Sequence, residues 1–188
     1  MRGYTRLAGI DEAGRGPLAG PVVASAVMFS AGGFVPGVRD SKKLSARKRE
    51  ALYDEIMREA LSVGIGIVDH KEIDRINILA ATYKAMDLAI GELSVSPQYI
   101  LVDGHRIPDC PIDQQAIVGG DALCFSIAAA SIVAKVTRDR IMISYDQRYP
   151  EYGFARHKGY ATAGHRAALS KYGPCQLHRR SFSWKGDG

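Results

Sequence analysis

Short apolar runs recur along the chain and are separated by polar or amphipathic segments. Five of these runs are rich in small and branched apolar residues and have the length of buried strands rather than of helices. The fifth run is the weakest, because polar residues interrupt it. The pattern predicts strands over residues 5–10, 21–29, 63–68, 99–102 and 115–118.

Between the predicted strands, apolar positions recur with helical spacing. Ser45 is a candidate N-cap for the first helix, which places Leu52 and Ile56 on one face. An alanine-rich segment further along would allow close packing of a third helix. The predicted helices cover residues 46–60, the segment in which Leu79, Tyr83, Met86 and Ile90 recur at i, i+4, i+7 and i+11, residues 123–145, and residues 162–172.

The order of these elements predicts an α/β fold with a mixed five-stranded sheet flanked by helices. The first strands follow one another with short connections, whereas the later strands alternate with helices. A composition shift occurs near the end, where residues 155–188 contain seven Lys or Arg and one acid, Asp187. We therefore expect a main domain over residues 1–150 and a small, basic, helical segment over residues 151–188 that contributes to substrate binding.

Charge and cysteine content limit the classes of function. The 188 residues carry a net charge of +5, which favours a polyanionic partner. Three widely spaced cysteines without a C-x-x-C pattern argue against a disulfide framework or a four-cysteine zinc site. No apolar stretch has the length of a membrane span. We expect a soluble, cytoplasmic, monomeric protein with no membrane association.

Carboxylates follow three of the predicted strands. Asp11 and Glu12 come after the first, Asp103 after the fourth and Asp121 after the fifth. Each has an ordinary alternative, since Glu12 could pair with Arg15, Asp103 could shape a turn and Asp121 could cap a helix. Together they predict an acidic cluster at one edge of the sheet, which cations must neutralise.

The chemistry of this cluster points to a metal-dependent nuclease. Oxygen ligands without His or Cys suit Mg²⁺ or Mn²⁺, and in a basic protein they suggest phosphodiester hydrolysis with two metal ions. Because neighbouring side chains on a regular strand point to opposite faces, Asp11 and Glu12 can share one site only if the strand ends or bends there. Gly14 would permit that bend.

Seven segments, in this order, closely resemble the bacterial ribonuclease HII family, and the resemblance covers almost the whole chain. They are DEAGRGPLAGPVVASAV from Asp11, DSKKLS from Asp40, INILAATYKAM from Ile76, LVDG from Leu101, SIAAASIVAKVTRDR from Ser126, YGFARHKGYATAGH from Tyr152 and HRRSF from His178. The resemblance implies a ribonuclease H-like fold. It also implies cleavage of RNA in RNA–DNA hybrids and incision of duplex DNA at single ribonucleotides, leaving 3′-hydroxyl and 5′-phosphate ends.

The resemblance implies that Asp11, Glu12, Asp103 and Asp121 are the catalytic acids and hold the two metal ions. The sequence departs from the family at the last of these, because Gly119 stands where most members have lysine before the glycine. Asp139 is the alternative fourth acid. Asp121 is preferred because it lies at a predicted junction between a strand and a helix, whereas Asp139 lies well inside a helix.

The resemblance also implies a set of substrate contacts. The segment Gly14, Arg15 and Gly16 and the tyrosine of HKGY, Tyr160, would contact the ribonucleotide 2′-hydroxyl and the next deoxynucleotide. A side chain at either glycine is expected to occupy the space of the sugar. Further phosphate contacts would come from Ser41, Lys42 and Asn77, although Asn77 could equally cap its helix.

Three other interpretations remain open from the residues alone. Gly14-x-Gly16-x-x-Ala19 is close to a dinucleotide-binding fingerprint, but a strand rather than a helix is predicted to follow it. A catalytically silent module that only binds hybrids is a second alternative, against which the four acids argue. A zinc site is a third, and its candidate ligands are His157, His165, Cys175 and His178.

Overall fold

The computed structural model describes residues 3–39 and 44–183. All five predicted strands are present and form one sheet in the order β3-β2-β1-β4-β5. The first three strands are antiparallel neighbours, whereas β1, β4 and β5 run parallel. The strands are β1 (Leu7–Ala13), β2 (Val22–Met28), β3 (Ser62–Val68), β4 (Tyr99–Asp103) and β5 (Asp113–Ile117).

The predicted helices are present, with three differences. The predicted third helix is divided at Cys124, which has an extended backbone. A helix after β3 was not predicted because its seven residues bury only Ile73, and the four-residue helix Phe154–His157 was not predicted either. Ser45 accepts a hydrogen bond from the amide of Lys48, as expected of an N-cap. The helices are α1 (Ala46–Glu59), α2 (His70–Ile76), α3 (Ile78–Gly91), α4 (Gly120–Leu123), α5 (Phe125–Arg148), α6 (Phe154–His157) and α7 (Ala163–Tyr172).

The sheet is covered on both faces. Helix α3 packs on one face, where Ile10 belongs to the main apolar core, and α5 packs on the other, with α1 outside it. Gly9 explains how closely α5 approaches β1, since a Cβ there would clash with the backbone of Ser126 and Ile127. The close approach brings the polar residues of α5 next to the end of β1.

The loop of residues 14–21, which joins β1 to β2, packs against the C-terminal part of the chain. The Leu18 amide donates to the Gly159 carbonyl at 2.8 Å, and the Arg179 amide donates to the Leu18 carbonyl at 2.8 Å. A small apolar core connects the two regions and contains Leu18, Ala19, Met142, Tyr152, Phe154, Ala168, Leu169 and Leu177. The division at residue 150 stays a prediction, since the C-terminal segment shares this core with the loop.

Candidate active site

Two of the predicted acids emerge side by side from neighbouring parallel strands. The last pair in the register of β1 and β4 is Ile10 with Val102, and Asp11 and Asp103 are the next residues of each strand. Parallel strands place such residues at the same edge of the sheet. The structure therefore brings Asp11 and Asp103 together, as the strand pattern predicts.

The prediction that the first strand ends at residue 10, just before Asp11, is wrong. Strand β1 continues to Ala13 because it still pairs with β2, with Asp11 opposite Ser25 and Glu12 opposite Ala24. The two acids keep the normal alternation, since Asp11 contacts the Ser131 hydroxyl of α5 and Glu12 lies beside Thr82 of α3. They can share a site because β1 extends beyond its last pair with β4 and is open at that edge.

Crowding of these carboxylates changes their protonation. The pKa of Asp11 is raised to about 8, chiefly by burial and in part by the negative charges of Glu12 and Asp103, while the Ser131 hydroxyl opposes the shift. Burial also raises the pKa of Glu12, although Arg15 opposes this shift and lies 3.3 Å from the Glu12 carboxylate. Burial and mutual repulsion therefore disfavour the ionised forms of Asp11 and Glu12 when no cation is bound.

The structure gives less direct evidence that the fourth predicted acid, Asp121, belongs to the acidic edge. Asp121 is 5 % exposed in the first turn of α4, and the preceding amide, that of Gly120, donates to Asp103 Oδ1 at 2.7 Å. Asp121 is therefore next to the acidic edge. Asp139 pairs with Lys135 at 2.7 Å on α5. The choice of Asp121 as the fourth acid stays a prediction.

The acidic edge opens into a cavity of about 280 Å³. Tyr160 lies at this cavity and is 44 % exposed, so its ring can contact a ligand. Acids, glycines and the tyrosine thus meet at one place although they are far apart in sequence. The lining residues are Asp11, Glu12, Ala13, Gly14, Arg15, Gly16, Arg49, Asp103, Ser131, Lys135 and Tyr160.

The two glycines differ in what surrounds them. A Cβ on Gly14 would clash with the Arg138 side chain and lie 2.7 Å from the Pro21 carbonyl, and its φ of +100° also disfavours any side chain. Within the part of the chain that the structure describes, a Cβ on Gly16 would meet only Tyr160 Cε1, at 3.9 Å. Gly14 is therefore required by contacts inside the protein, whereas Gly16 leaves open space toward the cavity.

The donor set fits a hard divalent cation. Among residues 3–39 and 44–183, no three His, Cys, Asp or Glu side chains are already gathered around one point. Asp11, Glu12 and Asp103 nevertheless supply oxygen ligands at one edge, and the raised pKa values of Asp11 and Glu12 are those of carboxylates that a cation would stabilise in the ionised form. The residues present fit Mg²⁺ or Mn²⁺.

Comparison with known proteins identifies the family of this chain. The family model described as Ribonuclease HII matches residues 8–185. The chain belongs to the ribonuclease HII family. Accordingly it is a hydrolase, an endoribonuclease of the ribonuclease H type that acts on RNA–DNA hybrids.

Individual relatives share both sequence and fold. Ribonuclease HII of Acetivibrio thermocellus is 58 % identical over 97 % of this chain and 72 % of its own length. The ribonuclease H2 structure from Pyrococcus horikoshii has a TM-score of 0.79 at 29 % identity and covers 95 % of this chain and 94 % of that one. The ribonuclease HII solved in complex with PCNA from Archaeoglobus fulgidus has a TM-score of 0.82 at 27 % identity, with 97 % and 98 % covered. The predicted ribonuclease H-like fold is confirmed.

The remaining sequence-predicted contacts have different outcomes. Ser41 and Lys42 lie outside the described residues. Asn77 caps α3, since its Oδ1 accepts from the amides of Leu79 at 2.9 Å and Ala80 at 3.1 Å. This leaves its Nδ2 group as the donor for a phosphate, a role that stays a prediction. The dinucleotide-binding alternative is excluded, because β2 is a strand and the family is ribonuclease HII.

Three polar or charged residues at the cavity were not predicted as site residues. Arg49 lies in a basic run that is ordinarily a solvated surface, and its side chain also donates to the Leu44 carbonyl at 2.5 Å. Ser131 and Lys135 are one helical turn apart on α5. Together with Asp139 they form a polar row at i, i+4 and i+8 on a largely apolar helix, a signal that could have identified them.

Three of the four candidate zinc ligands form a chain of hydrogen bonds instead of a common centre, and the fourth, His157, donates from Nε2 to the Tyr152 carbonyl at 2.8 Å. His178 Nδ1 accepts from the Cys175 amide at 3.0 Å, so its Nε2 carries the proton and donates to His165 Nε2 at 3.0 Å. His165 Nδ1 then donates to the Tyr160 carbonyl at 2.9 Å. Burial lowers the pKa of His178 to about 4, with a further contribution from His165. These imidazoles are neutral and support the backbone of Tyr160.

Proposed function

We propose that the chain cuts duplex DNA on the 5′ side of embedded ribonucleotides as well as RNA in RNA–DNA hybrids, leaving 3′-hydroxyl and 5′-phosphate ends. The observation that carries this proposal is the shared cavity. Three carboxylates line it together with Gly14, Arg15, Gly16 and Tyr160. A site for hydrolysis and a site able to contact one sugar therefore lie next to each other.

In this proposal Asp11, Glu12 and Asp103 hold divalent ions, Mg²⁺ or Mn²⁺, with Asp121 as the fourth ligand. Two such ions, when bound, would activate a water molecule and stabilise the leaving oxygen. The protein prepares the site by orienting its ligands. Ser131 donates to Asp11, the Gly120 amide donates to Asp103, and Arg15 contacts Glu12.

Recognition of the ribonucleotide would depend on main-chain groups of the 14–21 loop and on the ring of Tyr160. Only the 2′-hydroxyl distinguishes RNA from DNA at a single nucleotide, so a hydrogen-bonding group must reach it. Tyr160 would pack on the sugar of the following deoxynucleotide. Phosphate contacts would come from Ser41, Lys42 and Asn77, and from Arg49 and Lys135 at the cavity.

We also propose that the protein acts as a monomer in the cytoplasm. Cys110, Cys124 and Cys175 are all free thiols, which suits a reducing compartment. Among the described residues, none of the helices has the length and apolar character needed to cross a membrane.

A nicking assay tests the proposed function. The substrate is a labelled DNA duplex with one ribonucleotide, and the reaction is run with Mg²⁺, with Mn²⁺ and with chelator. We expect cleavage only with metal, at the 5′ side of the ribonucleotide, and no cleavage of the all-DNA duplex. Cleavage without metal would contradict the proposal. Absence of cleavage of the single-ribonucleotide duplex, or of a continuous hybrid, would also contradict it.

A pair of variants tests the part assigned to Tyr160. Tyr160→Ala should reduce nicking of the single-ribonucleotide duplex, whereas Tyr160→Phe keeps the ring and should retain most of the rate. Equal rates for Tyr160→Ala and the parent protein would remove Tyr160 from the recognition site.

A further inference from the structure

Two buried arginines lie beneath the 14–21 loop. Arg138, on α5, is completely buried, and Arg179, in the C-terminal segment, is 2 % exposed. The hydrogen bonds of both guanidinium groups go to main-chain carbonyl oxygens, and within residues 3–39 and 44–183 neither group forms an ion pair. Two positive charges are thus buried close to a site that would bind a polyanion.

Arg179 holds both ends of the loop. Its Nη2 donates to the Gly14 carbonyl at 2.6 Å and its Nη1 donates to the Arg15 carbonyl at 2.9 Å. At the other end, its Nε donates to the Gly20 carbonyl at 3.0 Å. One planar guanidinium therefore sets the orientation of peptide groups that are adjacent to the acidic edge.

Arg138 connects the loop to the segment that carries Tyr160. It donates to the Ala19 carbonyl at 3.1 Å and the Pro21 carbonyl at 2.9 Å in the loop. Its Nη1 donates to the Lys158 carbonyl at 3.0 Å, and its Cζ lies 5.9 Å from the centre of the Tyr160 ring. The relative position of the loop and the tyrosine depends on this side chain.

The planarity of the peptide bond gives these contacts a consequence for recognition. In a trans peptide, the carbonyl of one residue and the amide of the next point in opposite directions. Because Arg179 holds the carbonyls of Gly14 and Arg15, the amides of Arg15 and Gly16 face away from it. Among residues 3–39 and 44–183 neither amide has a hydrogen-bond acceptor, and both residues line the cavity.

We infer that Arg138 and Arg179 are positioning residues for ribonucleotide recognition. Arg179 turns the amides of Arg15 and Gly16 toward the 2′-hydroxyl, and Arg138 sets the distance between that loop and Tyr160. This inference rests on the proposed function. Neither arginine touches the nucleic acid, and both act through the backbone that they hold.

The cost of this arrangement argues against a purely space-filling role. Burial lowers the pKa of Arg179 to about 9, with Arg138 lowering it further, and burial lowers the pKa of Arg138 to about 10. Apolar side chains of similar volume would fill the same space without the cost of burying charge. Only a guanidinium offers several donors in one rigid plane, so lysine would keep the charge but lose the orientation.

Arg179→Lys and Arg138→Lys test the inference. Nicking rates are measured on a single-ribonucleotide duplex and on a continuous RNA–DNA hybrid, at a temperature where thermal melting shows each protein folded. We expect the ratio of the first rate to the second to fall about tenfold, since one displaced hydrogen bond is worth about that factor and the continuous hybrid offers other 2′-hydroxyls. Ile56→Ala, a buried change in α1 away from the loop, is the control for lost stability and should leave the ratio unchanged.

The outcomes separate this inference from the proposed function. If wild-type protein does not cleave the single-ribonucleotide duplex, the proposed function fails. If wild-type protein is active and both lysine variants keep its ratio, the positioning role is wrong. A ratio that falls equally in Ile56→Ala would also overturn it, because the effect would then come from lost stability.

Amide exchange of the wild-type protein provides a test that needs no variant. In the free protein, the amides of Arg15 and Gly16 should exchange rapidly with solvent, and a duplex with one ribonucleotide should protect them when chelator prevents cleavage. An all-DNA duplex should protect them less. Slow exchange in the free protein, or equal protection by the two duplexes, would contradict the inference.

Discussion

The acidic edge and the 14–21 loop are neighbours, but their buried charged groups have opposite surroundings. At the edge, Asp11, Glu12 and Asp103 place like charges together, and burial raises the pKa of Asp11 to about 8. Beneath the loop, Arg138 and Arg179 are buried more completely, yet carbonyl oxygens accept hydrogen bonds from each guanidinium. In the first region the ionised carboxylates are disfavoured, whereas in the second each guanidinium nitrogen donates to a carbonyl oxygen.

This difference separates a region that binds a ligand from a region that supports the local backbone geometry. Carboxylates held close together repel one another unless a proton or a cation neutralises them, so the edge is suited to a metal ion. Guanidinium groups whose three nitrogens all donate to main-chain carbonyls instead fix the geometry around them. Substitutions at the edge should therefore affect catalysis first, and those beneath the loop should affect geometry and stability.

The largest expected effect is at the edge. Asp11→Asn or Asp103→Asn should each lower the cleavage rate by about 100-fold or more, the order of loss when one preorganised electrostatic contact is removed. Hybrid binding should largely survive. Rates and affinities are compared with Asp113→Asn, an exposed acid of β5. Near wild-type turnover of Asp11→Asn would break the distinction between the two regions.

A second pair of variants tests which acids belong to the acidic edge. Asp121→Asn should lose activity on the scale of Asp11→Asn, because Asp121 adjoins Asp103 through Gly120. Asp139→Asn should lose less than about tenfold, since Asp139 pairs with Lys135. Single-turnover rates with saturating enzyme measure both variants. The reverse order would make Asp139 the fourth acid.

Alanine substitutions at the two glycines test which of them supports the protein structure and which faces the substrate. Gly14→Ala should lower the melting temperature by about 2–12 °C, from about 1–3 kcal/mol of backbone strain at about 2–4 °C per kcal/mol for this size. Gly16→Ala should leave the melting temperature within about 2 °C but slow nicking at a single ribonucleotide. Thermal melting and nicking are measured on both proteins. Equal melting temperatures would show that Arg138 and Pro21 do not restrict the space at Gly14.

The histidine chain predicts how stability depends on pH. The pKa of His178 falls from 6.5 to about 4 in the folded protein, so between these values only the unfolded chain takes up its proton. Its contribution to stability is therefore complete above about pH 6.5 and is lost as the pH falls toward 4. Melting temperatures should fall over this range.

His178→Gln removes that contribution and should melt with a weaker dependence on pH between 6.5 and 4. His105→Gln changes an exposed histidine and should behave like the parent protein. If His178→Gln keeps the full dependence, the buried chain is not its source.

The smallest expected effect concerns exposed basic residues of the C-terminal segment. Arg166→Gln and Lys171→Gln should each reduce the slope of log affinity against log salt by about one if that side chain contacts a phosphate. Arg58→Gln on α1 is the matched control. Point changes are needed because truncation after Tyr172 would also remove the buried residues Leu177, His178 and Arg179. Unchanged slopes would exclude both side chains from the backbone contact.

Much of the fold follows from local pattern. Short branched apolar runs and helical spacing identify all five strands and most helices, because these patterns depend on neighbouring residues. The shorter helices were not predicted because helical spacing is visible only over several turns. Helix α2, for example, buries only Ile73 and has too few turns to show a period. The acids at the carboxyl ends of parallel strands were also identifiable, because strand direction determines which edge they share.

Other features were decided only by the tertiary structure. The sequence places Arg179 in a basic run that would ordinarily be solvated, yet its side chain is buried against carbonyls up to 165 positions away. Similarly, the end of β1 depends on pairing with β2, which continues after pairing with β4 has stopped. Local sequence thus determined the elements and the chemical types at the site. Contacts between distant segments decided which charges are exposed and which are buried, because burial depends on what packs against a residue.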